Sequence, residues 1–366
     1  MKKNSFTLIE LIIVIVVLGI LSVITFDVLA KVYKNYVYAK ETNKLNAKLD
    51  ATIEIISAKL KNRLKNSVIV TKYPLKLTDN LEAKVDFKSI ALLEDNDTEY
   101  KILEWIGIDY EAKNGIWDDR ENHIQTGWSG FIDLGYNSHQ TNSETDDYKE
   151  FNVTTLDSNF TIVKLIDQNI TTSYGFNQDP FESNTTTLIF SGVDLDGDIV
   201  DDLNHSYGWY KNDSTREAKA VFAIQSYKEY LNNNSPAVDI NITSITKNDG
   251  ENKLFARYYL TRSAYAIVPI ESNVTLDDGR KINDYNLTFV YNYQPWQGDW
   301  WNGSNGKDGS GKGEANRTLI ATHVTEVRFK KDLDTQVIRL YICIQSPDVE
   351  VNSTRNLTLC KEKAIY

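Results

Sequence analysis

At 366 residues the chain is long enough to bury a sizeable core and, on length alone, to form two or three domains. Its formal net charge of −11 is unevenly spread: residues 1–66 carry 11 Lys/Arg against 5 Asp/Glu, and residues 67–366 carry 29 against 46. So acidic a body argues against nucleic acid as a partner, because that binding needs cations to displace counterions from phosphates.

Lys2 and Lys3 precede an apolar run from Phe6 to Phe26 in which sixteen of 21 residues are Phe, Leu, Ile or Val. At about −0.3 to −0.6 kcal/mol each, these outweigh the roughly +3 kcal/mol of the single carboxylate, Glu10. The run predicts a helix of about 20 residues that spans a bilayer, with the lysines on the cytoplasmic side and the body outside. A cleaved secretory signal needs a shorter run followed by a small-residue site, and Asp27 to Tyr38 offers none. A plain signal anchor accounts for everything except Glu10. An ionisable residue inside an apolar span calls for a partner. A cut between Ser5 and Phe6 creates one, a new α-amino group four residues from Glu10. Within one helix that amine and Glu10 can pair; in a stack of such helices each Glu10 can instead neutralise a neighbour's Phe6 amine, and a subunit out of register leaves a charge buried and unpaired.

The string Lys-Lys-Asn-Ser-Phe-Thr-Leu-Ile-Glu-Leu-Ile, residues 2–12, resembles the leader and cleavage site of type IV pilins and type II secretion pseudopilins. The resemblance implies that a membrane prepilin peptidase cuts between Ser5 and Phe6 and N-methylates Phe6, with Glu10 as the subunit-pairing carboxylate. It also implies other pilin or pseudopilin subunits and an inner-membrane assembly machinery as partners. Ser5 stands where that family usually has Gly, and Asp27 lies where many members carry a helix-bending Pro.

No Pro interrupts residues 6–73, and Leu45, Leu49, Ile53, Ile56, Leu60 and Leu64 recur at spacings of four, four, three, four and four. That is one face of an amphipathic helix. The N-terminal region therefore divides into a leader (1–5), a transmembrane or filament-core helix (6–30) and an amphipathic half (31–66) that packs on the body. A coiled-coil stem is the alternative. Run from Phe6 to Asn66, the helix would be on the order of 90 Å long.

Tyr73-Pro74 ends the helical pattern, and residues 67–366 read as an extracellular β-rich globular region. Thr186 to Phe190 is a short strand, and Leu254–Leu260 and Tyr265–Pro269 read as neighbouring strands. Val324–Phe329 and Val337–Ile344 flank the Asp332-Leu333-Asp334-Thr335 turn as a hairpin. In its second arm Ile338, Leu340, Ile342 and Ile344 share one face, while Arg339, Tyr341 and Cys343 share the other. Residues from about 95 to 215 are rich in Asn, Asp, Thr and Gly and read as an inserted β-rich lobe. The fold class is thus α+β: a long N-terminal helix packed on an antiparallel β-sheet, plus that lobe. The segments at 257–260 and 324–329 also resemble larger minor pseudopilins. Cys343 and Cys360 are placed as in the disulfide-closed C-terminal loop of many pilins; outside the cytoplasm such a bond contributes about 3 kcal/mol.

The body holds fifteen Asn-X-Ser/Thr sequons, and in eleven the residue two before the Asn is Asp or Glu. Asp plus Glu make up 51 of 366 residues, so chance would place an acid there in about two of the fifteen. The eleven are Asn96, Asn152, Asn159, Asn169, Asn184, Asn204, Asn241, Asn273, Asn286, Asn316 and Asn352. The acidic extension resembles the acceptor of a bacterial oligosaccharyltransferase, which implies N-glycosylation at surface loops. A generally Asp-, Asn- and Thr-rich acidic surface is the alternative.

Asp194-Leu195-Asp196-Gly197-Asp198, with Asp202 close behind, gathers hard oxygen ligands. Asp194, Asp196, Asp198 and Asp202 can wrap one Ca²⁺, a property that minor pseudopilins make familiar; a solvated acidic turn is the alternative. Gly306 to Gly313 echoes a phosphate loop, yet Gly313 stands where Ser or Thr is required. The four histidines lack metal-ligand spacing and no nucleophile elbow is present, so no enzymatic role is expected. Trp296, Trp300 and Trp301 flank a flexible loop, either as packing aromatics or as platforms for sugar rings.

The expected function is structural: a subunit held in the bacterial inner membrane and then passed to a periplasmic or extracellular filament. The large body points to a minor subunit of a type IV pilus or type II secretion pseudopilus. A glycosylated major pilin and a filament-displayed adhesin, presenting Trp300 and Trp301, are the alternatives. Glu10 argues against the extreme tip, because the large tip-forming pseudopilin of that family typically lacks the carboxylate.

Overall fold

A computed structural model describes residues 7–73, 85–94, 96–118, 123–134, 139–141, 148–175, 177–190, 206–210, 217–233, 235–245, 254–275, 281–304, 315–331, 337–352 and 355–366. Helix α1 (Leu8–Lys61) is continuous over 54 residues. Its first turn is closed by a capping box. The Glu10 N–H donates to the Thr7 hydroxyl, and the Thr7 N–H donates to the Glu10 carboxylate at 3.1 Å. Two donors that a helix start leaves orphaned are thereby satisfied. At the other end Arg63, itself buried, donates to the Leu60 carbonyl at 2.7 Å, a cation on the negative end of the helix dipole.

In chain order there follow β1 (Ile69–Lys72), β2 (Phe87–Ser89), β3 (Tyr100–Ile106), α2 (Tyr110–Asn114), β4 (Ile116–Asp118) and β5 (His123–Gln125). Next come β6 (Ile132–Asp133), β7 (His139–Thr141), β8 (Glu150–Leu156), α3 (Phe160–Ser173), β9 (Thr187–Phe190), β10 (Val221–Asn232), β11 (Ser235–Ser244) and β12 (Tyr258–Thr261). The C-terminal part holds β13 (Ala264–Thr275), β14 (Lys281–Tyr293), β15 (Asp299–Trp300), β16 (Gly303–Ser304), β17 (Asn316–Lys331), β18 (Ile338–Asn352) and β19 (Arg355–Ile365). The architecture is α+β.

Eight strands form the first sheet, in the order β19-β18-β17-β14-β13-β3-β1-β2, and seven form a second, β12-β9-β10-β11-β8-β6 with β7 also on β8. The pairings within both are antiparallel. The outer half of α1 lies on one face of the first sheet: Leu45, Leu49, Ile53, Ile56 and Leu60 share a core with Leu103, Trp105, Ile267, Val324, Leu340 and Ile342. Each such side chain contributes about 1.5–3 kcal/mol. Polar ties fix the helix in place. Lys48 Nζ donates to the Thr322 hydroxyl at 2.6 Å, and Lys361 reaches Asp50 at 2.7 Å.

Alternation along the strands sends Ile102, Ile106, Ala264, Ala266 and Val268 to the other face, where they share a second core with Ile189 and Val221 of the second sheet. A third core fills the space between the second sheet and α3, built on Trp128, Phe160, Val163, Phe222 and Ile240.

The hairpin expected at 324–344 forms, with Phe329 opposite Leu340 and Val324 opposite Ile344. The neighbouring-strand expectation for Leu254–Leu260 and Tyr265–Pro269 is corrected: β12 pairs with β9 in the second sheet, whereas β13 pairs with β14 and β3 in the first. The chain changes sheets at Arg262-Ser263. It does so again beside them, just after β3, and the two crossings are stitched together. Gly107 N–H donates to the Ser263 carbonyl at 3.1 Å, Asp109 N–H to Leu260 at 2.9 Å, and the Thr261 hydroxyl to Gly107 at 2.7 Å. The strands of the second sheet come from residues 132–261, while β3, which falls inside the 95–215 segment, belongs to the first.

Candidate functional site

The site that the geometry singles out is the first half of α1. From Leu8 to Val32 every large apolar side chain is exposed, from 47% at Val14 to 78% at Leu8, whereas the second half is packed. This helix alone among the described residues is long and apolar enough to cross a membrane, with a mean hydropathy of 3.0 over its most apolar stretch. Such a surface is stable only in lipid or against other apolar helices.

Glu10 is the one acidic residue of the first turn. In the single chain its carboxylate is bonded to Thr7, accepting from the N–H and from the hydroxyl at 3.0 Å. Charge pairing with a neighbour was the only role that sequence reasoning gave this residue. The Thr7-X-X-Glu10 spacing also carried the signal for the cap. Ser5 and Phe6 lie outside the described residues.

The asparagines of the eleven acid-preceded sequons fall in different surroundings. Asn96 is in an exposed turn, Asn159 is the N-cap of α3, Asn169 is on that helix, and Asn184 adopts a left-handed conformation (φ 54°). Asn152 and Asn241 face each other across β8 and β11, with Asn241 Nδ2 donating to Asn152 Oδ1 at 2.9 Å. Asn286 lies in β14 and Asn316 in β17, where Asn292 donates to Asn316 at 3.1 Å. Asn273 and Asn352 fall in β13 and β18, and Asn204 lies outside the described residues.

Cys343 and Cys360 are opposite one another on β18 and β19 and form a disulfide. Asp194, Asp196, Asp198 and Asp202 lie outside the described residues. Trp296 and Trp301 are buried in the second core, with Trp296 Nε1 donating to the Asn184 carbonyl at 3.2 Å. Trp300 is half-buried, edge-on to the Tyr210 ring at 5.1 Å. These tryptophans are packing groups.

Two buried polar clusters were missed from the sequence. Arg262 lies between Asp109 and Asp167, with Nη1 3.5 Å from each, and its Nη2 is 3.3 Å from Glu111. Burial, and then the charge of Asp109, hold the Asp167 carboxyl well above the usual carboxylate range. Glu104 is enclosed on the inner face of β3 and accepts from Tyr210, from Thr71 at 2.7 Å and from Tyr293 at 3.0 Å. Burial pushes its pKa up to about 7 despite those donors. Both clusters lie within the body, and neither touches the exposed half of α1.

Residues 1–26 match the family described as Prokaryotic N-terminal methylation motif. The chain carries the type IV pilin and pseudopilin signature. No curated protein and no solved structure matches it. That signature supports a pilin-like substrate of prepilin peptidase, implies other pilin subunits as partners, and points to a structural subunit. The exposed apolar half of α1 fits a membrane anchor before assembly.

Proposed function

We propose that the chain is a minor subunit of a type IV pilus or a type II secretion pseudopilus, cut between Ser5 and Phe6 and carried into the filament by α1. One observation carries this reading. A single helix is bare along its apolar first half and packed along its second, so the body is firmly attached to an unpartnered apolar rod. In the membrane that rod is solvated by lipid; in a filament the rods of neighbouring copies replace the lipid. Glu10 then exchanges its bond to Thr7 for the Phe6 amine of a neighbour, which sets register. The bulk of the body supports a minor place, because two sheets must be accommodated at every position the subunit occupies. Acid-preceded asparagines on the body carry glycans added by a bacterial oligosaccharyltransferase.

Filaments sheared from the native host test the reading through the intact mass and abundance of the protein in them. A trace species beginning at methylated Phe6, heavier than the bare chain, is the expected result. A dominant species with that start would make it the major subunit. Recovery only from the membrane, with Met1 to Ser5 still attached, would overturn the filament reading.

A further inference from the structure

Among the acid-preceded sequons whose side chains the structure describes, Asn96 differs from the others in its setting. A transferase that reads the acid two residues before the Asn and the hydroxyl two residues after it needs all three side chains clear of the protein. At Asn96 they are: Glu94, Asn96 and Thr98 are all exposed, in the turn between β2 and β3. At Asn152, Asn159, Asn169, Asn184, Asn241, Asn286 and Asn316, by contrast, at least one recognition group is in use by the fold. The Asp167 that precedes Asn169 is fully buried beside Arg262, and Thr171, two residues after that Asn, is buried with its hydroxyl on the Asp167 carbonyl at 2.9 Å. Thr186, the hydroxyl residue of the Asn184 sequon, is buried and donates to Asp167 at 2.6 Å. Thr154, which serves Asn152, is buried and donates to Asp239 at 2.6 Å. Asp284, which precedes Asn286, is buried 2.7 Å from His323 Nδ1.

Two further asparagines have their own amides engaged. Asn159 Oδ1 caps α3 by accepting from Ile162 N–H at 2.9 Å, and Asn241 donates through Nδ2, the atom a sugar would occupy. In the folded chain these bonds occupy the amides a transferase would need.

We infer that Asn96 is an acceptor available in the folded protein, and that Asn152, Asn169, Asn184 and Asn286 accept sugar only before the chain folds. This rests on the glycan reading above. In the transfer, the Asn96 amide nitrogen forms the bond to the anomeric carbon of a polyprenyl-pyrophosphate-linked oligosaccharide. The carbon–oxygen bond to the pyrophosphate breaks, the lipid pyrophosphate leaves, and the amide gives up one proton. At the buried sites the same step waits on local or global opening, which the folded state visits rarely.

The experiment compares the full-length chain, folded in detergent, with peptides cut from it that span each acceptor. Both receive a transferase requiring the preceding acid, together with the lipid-linked oligosaccharide, and each site is followed by peptide mass. Peptides modified at all five sites, with a folded chain that keeps its rate at Asn96 and loses about tenfold or more at the other four, is the expected result. Asn96→Gln should remove the fast phase among these five. A folded chain modified at Asn152, Asn169, Asn184 and Asn286 as fast as the peptides would overturn the inference while leaving the acceptor reading intact. Peptides that take no sugar would remove the acceptor reading itself, and the inference with it.

Discussion

Arg262 places one guanidinium nitrogen 3.5 Å from both Asp109 and Asp167, at the point where the chain twice passes from one sheet to the other. Both acids are fully buried. Arg262→Ala would strand them without a cation, and removing one partner of a buried ion pair costs about 3–5 kcal/mol. The variant should lower the unfolding free energy of the full chain by that much, read as a lower urea midpoint at an unchanged slope. Arg262→Lys should recover only part of the loss, since a single ammonium cannot reproduce the planar fork that spans two carboxylates and Glu111. An unchanged midpoint in the Ala variant would mean that the cluster does not help hold the two sheets together.

Glu104 makes stability depend on pH in the direction opposite to a carboxylate whose pKa the fold lowers. Its folded pKa, about 7, lies above the ordinary 4.5, so the folded state keeps a proton that the unfolded chain releases. Its favourable contribution is complete below about pH 4.5 and is lost as pH rises through 7. A displacement from 4.5 to about 7 corresponds to about 3 kcal/mol. Glu104→Gln mimics the protonated form, so it should match the wild type in thermal stability at pH 5 and exceed it at pH 8. An equal effect at both values would show that Glu104 does not titrate in this range.

These two clusters mark where the sequence stops being legible. The face of α1 could be read because Leu45, Leu49, Ile53, Ile56 and Leu60 follow the helical repeat and are buried together, whereas Leu64, the sixth of that series, lies beyond the helix end at Lys61 and packs in the second core. The β17–β18 hairpin could be read because Ile338, Leu340, Ile342 and Ile344 alternate around a short turn. β12 and β13 could not, because strands so close in the chain usually pair. Nothing in Arg262-Ser263 itself marks a change of sheet; the reason for the arginine is supplied by Asp109 and Asp167, far away in the chain. Glu104 was one carboxylate among 51 acidic residues until the fold brought Thr71, Tyr210 and Tyr293 around it. At the N-terminus the relevant pattern was local, and both readings of Glu10, as cap and as charge partner, lie within four residues of it.

The Cys343–Cys360 disulfide joins two strands that are already paired along most of their length. It closes a loop of 16 residues, for which chain entropy allows about 3 kcal/mol. Cys360 is exposed and Cys343 buried, so a thiol reductant should attack at the Cys360 sulfur and open the bond without unfolding the protein. The doubly substituted Cys343→Ser, Cys360→Ser chain should keep its fold and lose about 3 kcal/mol or less in urea. Failure of that variant to fold would mean that the bond directs pairing of β18 with β19 and does not merely reinforce it.

Glu10 and Leu49 separate the two jobs of α1. Leu49 is fully buried under the first sheet, and Leu49→Ala should cost about 2–5 kcal/mol of body stability. Among the described residues the Glu10 side chain hydrogen-bonds to Thr7 alone, so its variants should leave the urea midpoint of the body where it was. The informative change there is Glu10→Gln. Glutamine still fits the capping box with Thr7, yet it carries no charge to match a neighbour's Phe6 amine. If Glu10 acts in register setting, Gln and Ala variants should both disappear from sheared filaments while accumulating in the membrane. If only the cap matters, the Gln variant should enter filaments at wild-type abundance and the Ala variant alone should fall. Quantifying both in one sheared preparation therefore decides whether the carboxylate is needed for its charge or for its shape.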